Sequence, residues 1–148
     1  MDVVIAVPDL RDFVSDLRRV DARLPKVIQQ ANKEISVEVA DAAQDRARGV
    51  SRQYAKAAKG ISGRAKQKSA SIAIRSARYP WIFGAEFGAL AYRQFMPWRG
   101  NQWTQGYGPD AGTGYAVYPT IRDKVPEIMD TYGDRMMDAL AAAYPERR

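Results

Sequence analysis

The sequence predicts an α+β fold, with N-terminal amphipathic helices and a long C-terminal helix packed on a small antiparallel sheet with long loops. Three observations carry this. Apolar residues recur at three- and four-residue steps over 27–47 and again over 121–144, the spacing of one helix face. Residues 69–78 alternate instead, with Ala70, Ile72, Ile74 and Ser76 on one side and Ser71, Ala73, Arg75 and Ala77 on the other, which is the period of a strand. A chain of 148 residues, 46% hydrophobic and 27% charged, fits a single folded domain spanning 1–148 with one core.

The elements follow in order. Asp2–Val7 is a β-branched run suited to an edge strand, ended by Pro8. Leu10, Phe13, Val14 and Leu17 then define one face of a helix over about 9–22, with Pro8-Asp9 as its start. After Pro25, Val27, Ile28, Ala31, Ile35, Val39, Ala42, Ala43 and Ala47 predict a longer helix over about 25–50. Its alanine-rich half allows another element to come close. Residues 51–68 lose periodicity and carry Gly60, Ser62 and Gly63, so they read as a basic loop or hairpin arm. Trp81-Ile82-Phe83 reads as a short strand or the start of a buried turn. Residues 89–118 read as an aromatic and Gly-rich loop. The wider stretch Tyr79–Tyr118 holds eleven of the fifteen aromatics, which must pack on the domain or on a neighbouring subunit. The last helix is marked by Ile121, Val125, Ile128, Met129, Tyr132, Met136, Met137 and Leu140, with Pro119 at its first position. Pro126 demands either a second helix start or a bend.

Composition removes most chemistry. There is no cysteine and no histidine, which excludes disulfides, thiol catalysis, imidazole bases and the usual zinc sites. Gly106–Gly112 lacks the spacing of a dinucleotide or phosphate loop. Asp123, Glu127, Asp130, Asp134 and Asp138 line one face of the last helix. They are a conceivable divalent-cation or acid–base site, as in a metal-dependent nuclease, but read more simply as a solvated or partner-facing stripe. No enzyme activity, cofactor or metal is expected. No apolar run approaches the ~20 residues that span a bilayer. The opening MDVVIAVPDL is too short in its apolar part for a signal peptide. No membrane partner and a cytoplasmic location are the expectations.

Charge is unevenly placed. The chain carries 23 basic and 17 acidic residues, a net of +6. Ten of the basic residues fall between Arg46 and Arg78, a window with no acid, so the remainder is net acidic. Arg46, Arg48, Arg52, Lys56, Lys59, Arg64, Lys66 and Lys68 are therefore the candidate contacts to DNA or to an acidic subunit surface. Trp81, Phe83, Glu86, Phe87, Phe95, Trp98, Trp103, Asp130, Asp134 and Asp138 are the candidate subunit interface. The acidic stripe of one copy complements the basic segment of the next.

The order of these elements is itself informative. A helix ends at Leu24-Pro25, and an Ala-rich helix follows with Ile28, Ala31, Val39 and Ala43. A basic segment, the strand Ser71–Ser76, a Glu86-Phe87-Gly88 turn and a Pro119-Thr120-Ile121-Arg122 helix come next. Over about residues 9–143 this resembles the head–tail connector (neck, or tail-completion) proteins of long-tailed bacteriophages. Ile61-Ser62-Gly63 stands where that family commonly has a Thr-Gly turn. Residues 89–118 are longer than its usual loop, with Tyr118-Pro119 in place of Pro-Phe. The resemblance implies a structural virion protein at the head–tail junction. It would assemble as a homo-oligomeric ring of six or twelve copies between portal-adaptor, connector and tail proteins, with duplex DNA in the lumen. The alternative is a small DNA-binding protein without sequence specificity that uses 46–78. No helix-turn-helix or zinc-finger pattern accompanies that segment.

Overall fold

A computed structural model describes residues 1–5, 24–66, 68–99 and 113–143, together with Asp12, Ser15, Asp16, Arg18, Arg19 and Ala22. In the last turns of the C-terminal helix, the side chains of 139, 140, 142 and 143 lie outside that description. The elements are β1 (Asp2–Val4), α1 (Leu24–Val50), α2 (Arg52–Ala57), a 3-10 turn (Ala58–Gly60), β2 (Ile61–Lys66), β3 (Ser69–Ile74), α3 (Ile82–Phe87) and α4 (Val117–Ala143). This is the expected α+β class. Asp12, Ser15, Asp16, Arg18 and Arg19 are helical, inside the 9–22 span. The stripe expected there (Leu10, Phe13, Val14, Leu17) lies outside the described residues.

The sheet is antiparallel with order β1-β3-β2, so β1 is an edge strand. The register pairs Val3 with Ile72 and Gly63 with Ile72 from the other side. One face therefore carries Val3, Ile61, Gly63, Ala65, Ala70, Ile72 and Ile74, all buried except the half-buried Gly63 and the exposed Ala65 at its end. The other carries Asp2, Val4, Ser62, Arg64, Lys66, Ser69, Ser71 and Ala73, of which the charged members and Val4 are exposed and the central Ala73 is buried. Arg64 and Asp2 reach across that outer face to an ion pair at 3.5 Å.

The inner face packs on α1. The α1 stripe of Leu24, Ile28, Ala31, Ile35, Val39, Ala43 and Ala47 is buried throughout, as the three- and four-residue spacing requires. Pro25 sits in the first turn, where a missing N–H breaks no helix bond. Polar groups on α1 bind strand carbonyls: Asn32 Nδ2 donates to Lys66 O at 2.9 Å and Gln44 Nε2 to Ile61 O at 2.7 Å. These tie helix and strand at both ends of their contact.

Helix α4 runs antiparallel along α1. Arg46 meets Asp123 at 2.8 Å near one end, and Arg135 meets Glu34 at 2.6 Å near the other. Along this contact Ile128, Tyr132 and Met136 turn into the core. The Tyr132 hydroxyl donates to Asn32 Oδ1 in the interior, and burial raises its pKa to about 12. It therefore stays a donor at all physiological pH. Tyr132→Phe removes this bond between helices and is expected to cost about 1 kcal/mol in urea denaturation, with an unchanged far-UV spectrum.

Four expectations are corrected. Residues 51–66 are not loop: Ser51 caps α2 through Tyr54 N (3.1 Å), and Gly60 and Gly63 lie where neighbours approach too closely for a side chain. The hairpin-arm alternative fits β2–β3, although this hairpin lies against α1. Trp81–Phe83 starts a helix, not a strand. Finally, α4 begins at Val117, two residues before Pro119, and continues through Pro126. The strand predicted over 69–78 ends at Ile74.

Candidate functional site

Glu86 and its surroundings organise the junction of α2, α3 and the start of α4. Helix α4 begins with unsatisfied N–H groups, as any helix does. Glu86 on α3 satisfies three of them. Its Oε2 accepts from Ala116 N and Val117 N at 3.1 Å each, and its Oε1 from Tyr118 N at 3.2 Å. The Tyr54 hydroxyl of α2 donates to the same Oε2 at 2.5 Å. One carboxylate thus joins three helices at a helix N-terminus, where negative charge is favoured.

Glu86 is fully buried. Burial raises its pKa above the ordinary 4.5, against the bonds from Tyr54 and the three backbone N–H groups, which lower it. Tyr54 is pushed well above its usual value, chiefly by burial and then by the charge of Glu86. Gly114 has φ +71°, and a Cβ there would stand 2.2 Å from Glu86 Oε1. Phe87 packs on Tyr118 with ring centres 5.6 Å apart. Gly88 has φ +80° with the Pro97 carbonyl pressed against it. The Glu-Phe-Gly turn thus has a structural role at each position: cap, core and reversal.

This arrangement places several expected interface residues inside the chain. Glu86 and Phe87 are buried, so they are not subunit contacts. Trp81 donates through Nε1 to Gln53 O at 2.9 Å and packs edge-on against Tyr79. Phe83 packs against the core, and the Phe95 ring lies over Gly84. Trp98, Asp130, Asp134 and Asp138 remain on the surface. Trp103 lies outside the described residues.

After Gly88 the chain projects a short loop. Ala89 N donates to Met96 O, Arg99 N to Phe87 O, and the Tyr115 hydroxyl to Pro97 O. On that fixed base Leu90 is 89% exposed and Tyr92 65%. Arg99 lies over the Tyr115 ring at 4.5 Å. On α4, Met129 and Met137 are also exposed, at 45% and 67%. Sequence reasoning pooled these methionines with the core stripe. Their angle on the helix, one residue past Ile128 and Met136, distinguishes them.

The basic candidates are on the surface except Lys68, which is half-buried in the β2–β3 turn. They form two groups. Arg52, Lys56 and Lys59 follow one another along α2 and the 3-10 turn, opposite the buried Tyr54, Ala57 and Ala58. Arg64 and Lys66 lie on the outer sheet face. Arg46 and Arg48 are already paired within the chain, with Asp123 and Asp45. Basic segment and acidic stripe therefore do meet, but inside one copy, at Arg46–Asp123.

Asp130, Asp134 and Asp138 make no ion pair among the described residues, and neither do Arg52, Lys56, Lys59 and Lys66. The acids and the α2 bases lie far apart, whereas Lys66 stands at the acid end, its carbonyl bonded to Asn32. The acids stand level with the N-terminal half of α1, where Arg135 meets Glu34. The bases of α2 begin beyond Val50, sixteen residues further on and about 24 Å along the axis at 1.5 Å per residue. Among the described residues no three carboxylates converge to hold a metal ion, and no helix is long and apolar enough to cross a membrane. No family model, curated protein or solved structure matches this chain.

Proposed function

We propose that the chain is a structural virion protein of the phage neck, forming a ring that joins the capsid portal to the tail and lets DNA pass. The observation that carries this reading is a pair of unmatched strips of opposite charge set apart on one subunit, Asp130–Asp134–Asp138 on α4 and Arg52–Lys56–Lys59 along α2 and the 3-10 turn. Two different complementary surfaces on one subunit make a head-to-tail contact, and such contacts close into rings when the rotation permits. The order of motifs that resembles the connector family supports it further. Six or twelve copies, contact with portal-adaptor, connector and tail proteins, and a place at the head–tail junction after assembly in the host cytoplasm belong to the same reading. Phosphates of duplex DNA in the lumen would meet charge without being read for sequence.

Light scattering over a concentration and salt series tests it. A monomer at low concentration is expected to give six- or twelve-fold species as concentration rises. Added salt should weaken assembly, because the opposed charges are exposed and screened. A monomer or dimer at every concentration overturns the ring. The Arg52–Lys56–Lys59 ridge favours a second reading, DNA binding without sequence specificity. Its mark would be a steep fall of log K with log salt for the isolated chain.

A further inference from the structure

Nothing among the described residues requires glycine at position 133. It sits in the interior of a 27-residue helix, where glycine is unfavourable relative to alanine. A Cβ there would meet nothing within 4 Å. It lies on the same stripe as Met129 and Met137, four residues to either side, and both methionines are exposed. One residue further around the helix runs the exposed, unpaired series Asp130, Asp134 and Asp138. An apolar strip with a gap at its centre thus borders an acidic strip.

The loop after Gly88 has the matching features. Leu90 and Tyr92 project from a base fixed by backbone bonds, and the exposed Arg93 beside them makes no bond among the described residues. The two surfaces cannot meet within one chain. The loop springs from α3, whose Glu86 caps the first turn of α4, and Gly133 lies sixteen residues along that helix, about 24 Å away.

We infer that the α4 face centred on Gly133 is the seat for the Leu90–Tyr92 tip of a neighbouring copy. Met129 and Met137 flank the inserted side chains, and Arg93 of the neighbouring copy meets Asp130 and Asp134. Methionines suit such a seat because they adapt to the shape placed on them. The inference rests on the head-to-tail reading above and specifies its contact.

The absence of cysteine from the chain makes the test direct. Leu90→Cys and Gly133→Cys proteins are prepared separately, mixed at assembling concentration and oxidised. The mixture is expected to give a cross-linked dimer on a non-reducing gel, and neither protein alone should do so. Gly133→Gln is expected to melt no lower than wild type, since its side chain meets open space. It should nevertheless raise the concentration needed for assembly about tenfold by filling the seat. If wild type assembles by light scattering but the mixture does not cross-link, or each variant cross-links with itself as readily, the seat is wrong and the ring reading stands. If Gly133→Gln assembles like wild type, the seat is likewise wrong. A wild-type protein that stays monomeric, together with a mixture of the two cysteine variants that never cross-links, overturns both.

Discussion

Glu86→Ala is expected to lower the unfolding free energy by about 4 kcal/mol, the largest effect of any single truncation away from the hydrocarbon core. The substitution leaves the Tyr54 hydroxyl and the N–H groups of Ala116, Val117 and Tyr118 facing an apolar interior. A buried donor without a partner costs at least about 1 kcal/mol, and four are orphaned together. For a domain of this size that corresponds to a fall in Tm on the order of 10 °C. Glu86→Gln should be milder, about 1–2 kcal/mol, because the amide oxygen can keep the Oε2 partners while its NH₂ faces the Tyr118 N–H. The two variants also separate charge from shape. Burial raises the Glu86 pKa in the folded state above 4.5, so the folded chain holds this proton to higher pH than the unfolded chain does. The resulting stability is fully present below the unfolded value and is lost as pH rises through the folded value. Gln does not titrate. The stability of wild type relative to Glu86→Gln should therefore decline as pH rises above about 4.5, in denaturant titrations at matched ionic strength. A difference that grows with pH would show that the four hydrogen bonds outweigh desolvation.

The sequence could not announce this role for Glu86. Its neighbours Phe87 and Gly88 suggest a turn, and its place in the aromatic stretch groups it with the candidate subunit interface. Nothing local indicated that the carboxylate would find a helix N-terminus thirty residues later, because that meeting depends on how α3 and α4 pack. The long helices were legible since burial along α1 follows the 3.6-residue period of Ile28, Ala31, Ile35 and Val39. The β3 strand was legible through Ala70, Ile72 and Ile74, although alternation past Ile74 carried the expectation too far. The 51–66 segment was not. Its helix has six residues, too few to display a period, and β2 carries Ser, Gly, Arg, Ala and Lys with Ile61 as its one large apolar residue. Edge strands of that kind obtain their structure from the neighbours they pair with. The surface sites divide similarly. Asp130, Asp134 and Asp138 were found because an exposed stripe obeys the same period as a buried one. Leu90 and Tyr92 were hidden among aromatics that turned inward, such as Phe87 and Tyr118. An irregular loop has no period from which to tell the two apart.

Gly63→Ala is expected to destabilise the fold by about 3 kcal/mol, although the position looks permissive in sequence and is only half-buried in the structure. A Cβ at Gly63 would stand 2.5 Å from the carbonyl carbon and oxygen of Ser36 and 2.9 Å from Val37 N. All three are backbone atoms of α1, so no side-chain rotation relieves the overlap. Either β2 leaves β3 or α1 lifts from the sheet. Lifting α1 would stretch the Asn32–Lys66 and Gln44–Ile61 bonds that bracket the contact. Overpacking of a close-fitted contact costs roughly 1–3 kcal/mol, and the rigid backbone partners place this case at the upper end. Gly63→Val should be worse, despite the preference of valine for strands, so local propensity and packing predict opposite signs. Gly49→Ala supplies the contrast. It lies near the end of α1 with nothing within 4 Å of an added Cβ, and should stabilise by about 0.5–1 kcal/mol through helix propensity alone. Thermal melts of the three variants decide between the two influences. If Gly63→Val raised Tm, the strand would be setting its own stability. The close approach of α1 to β2, which directs Arg64 and Lys66 to the outer face, would then not be what holds this part of the fold.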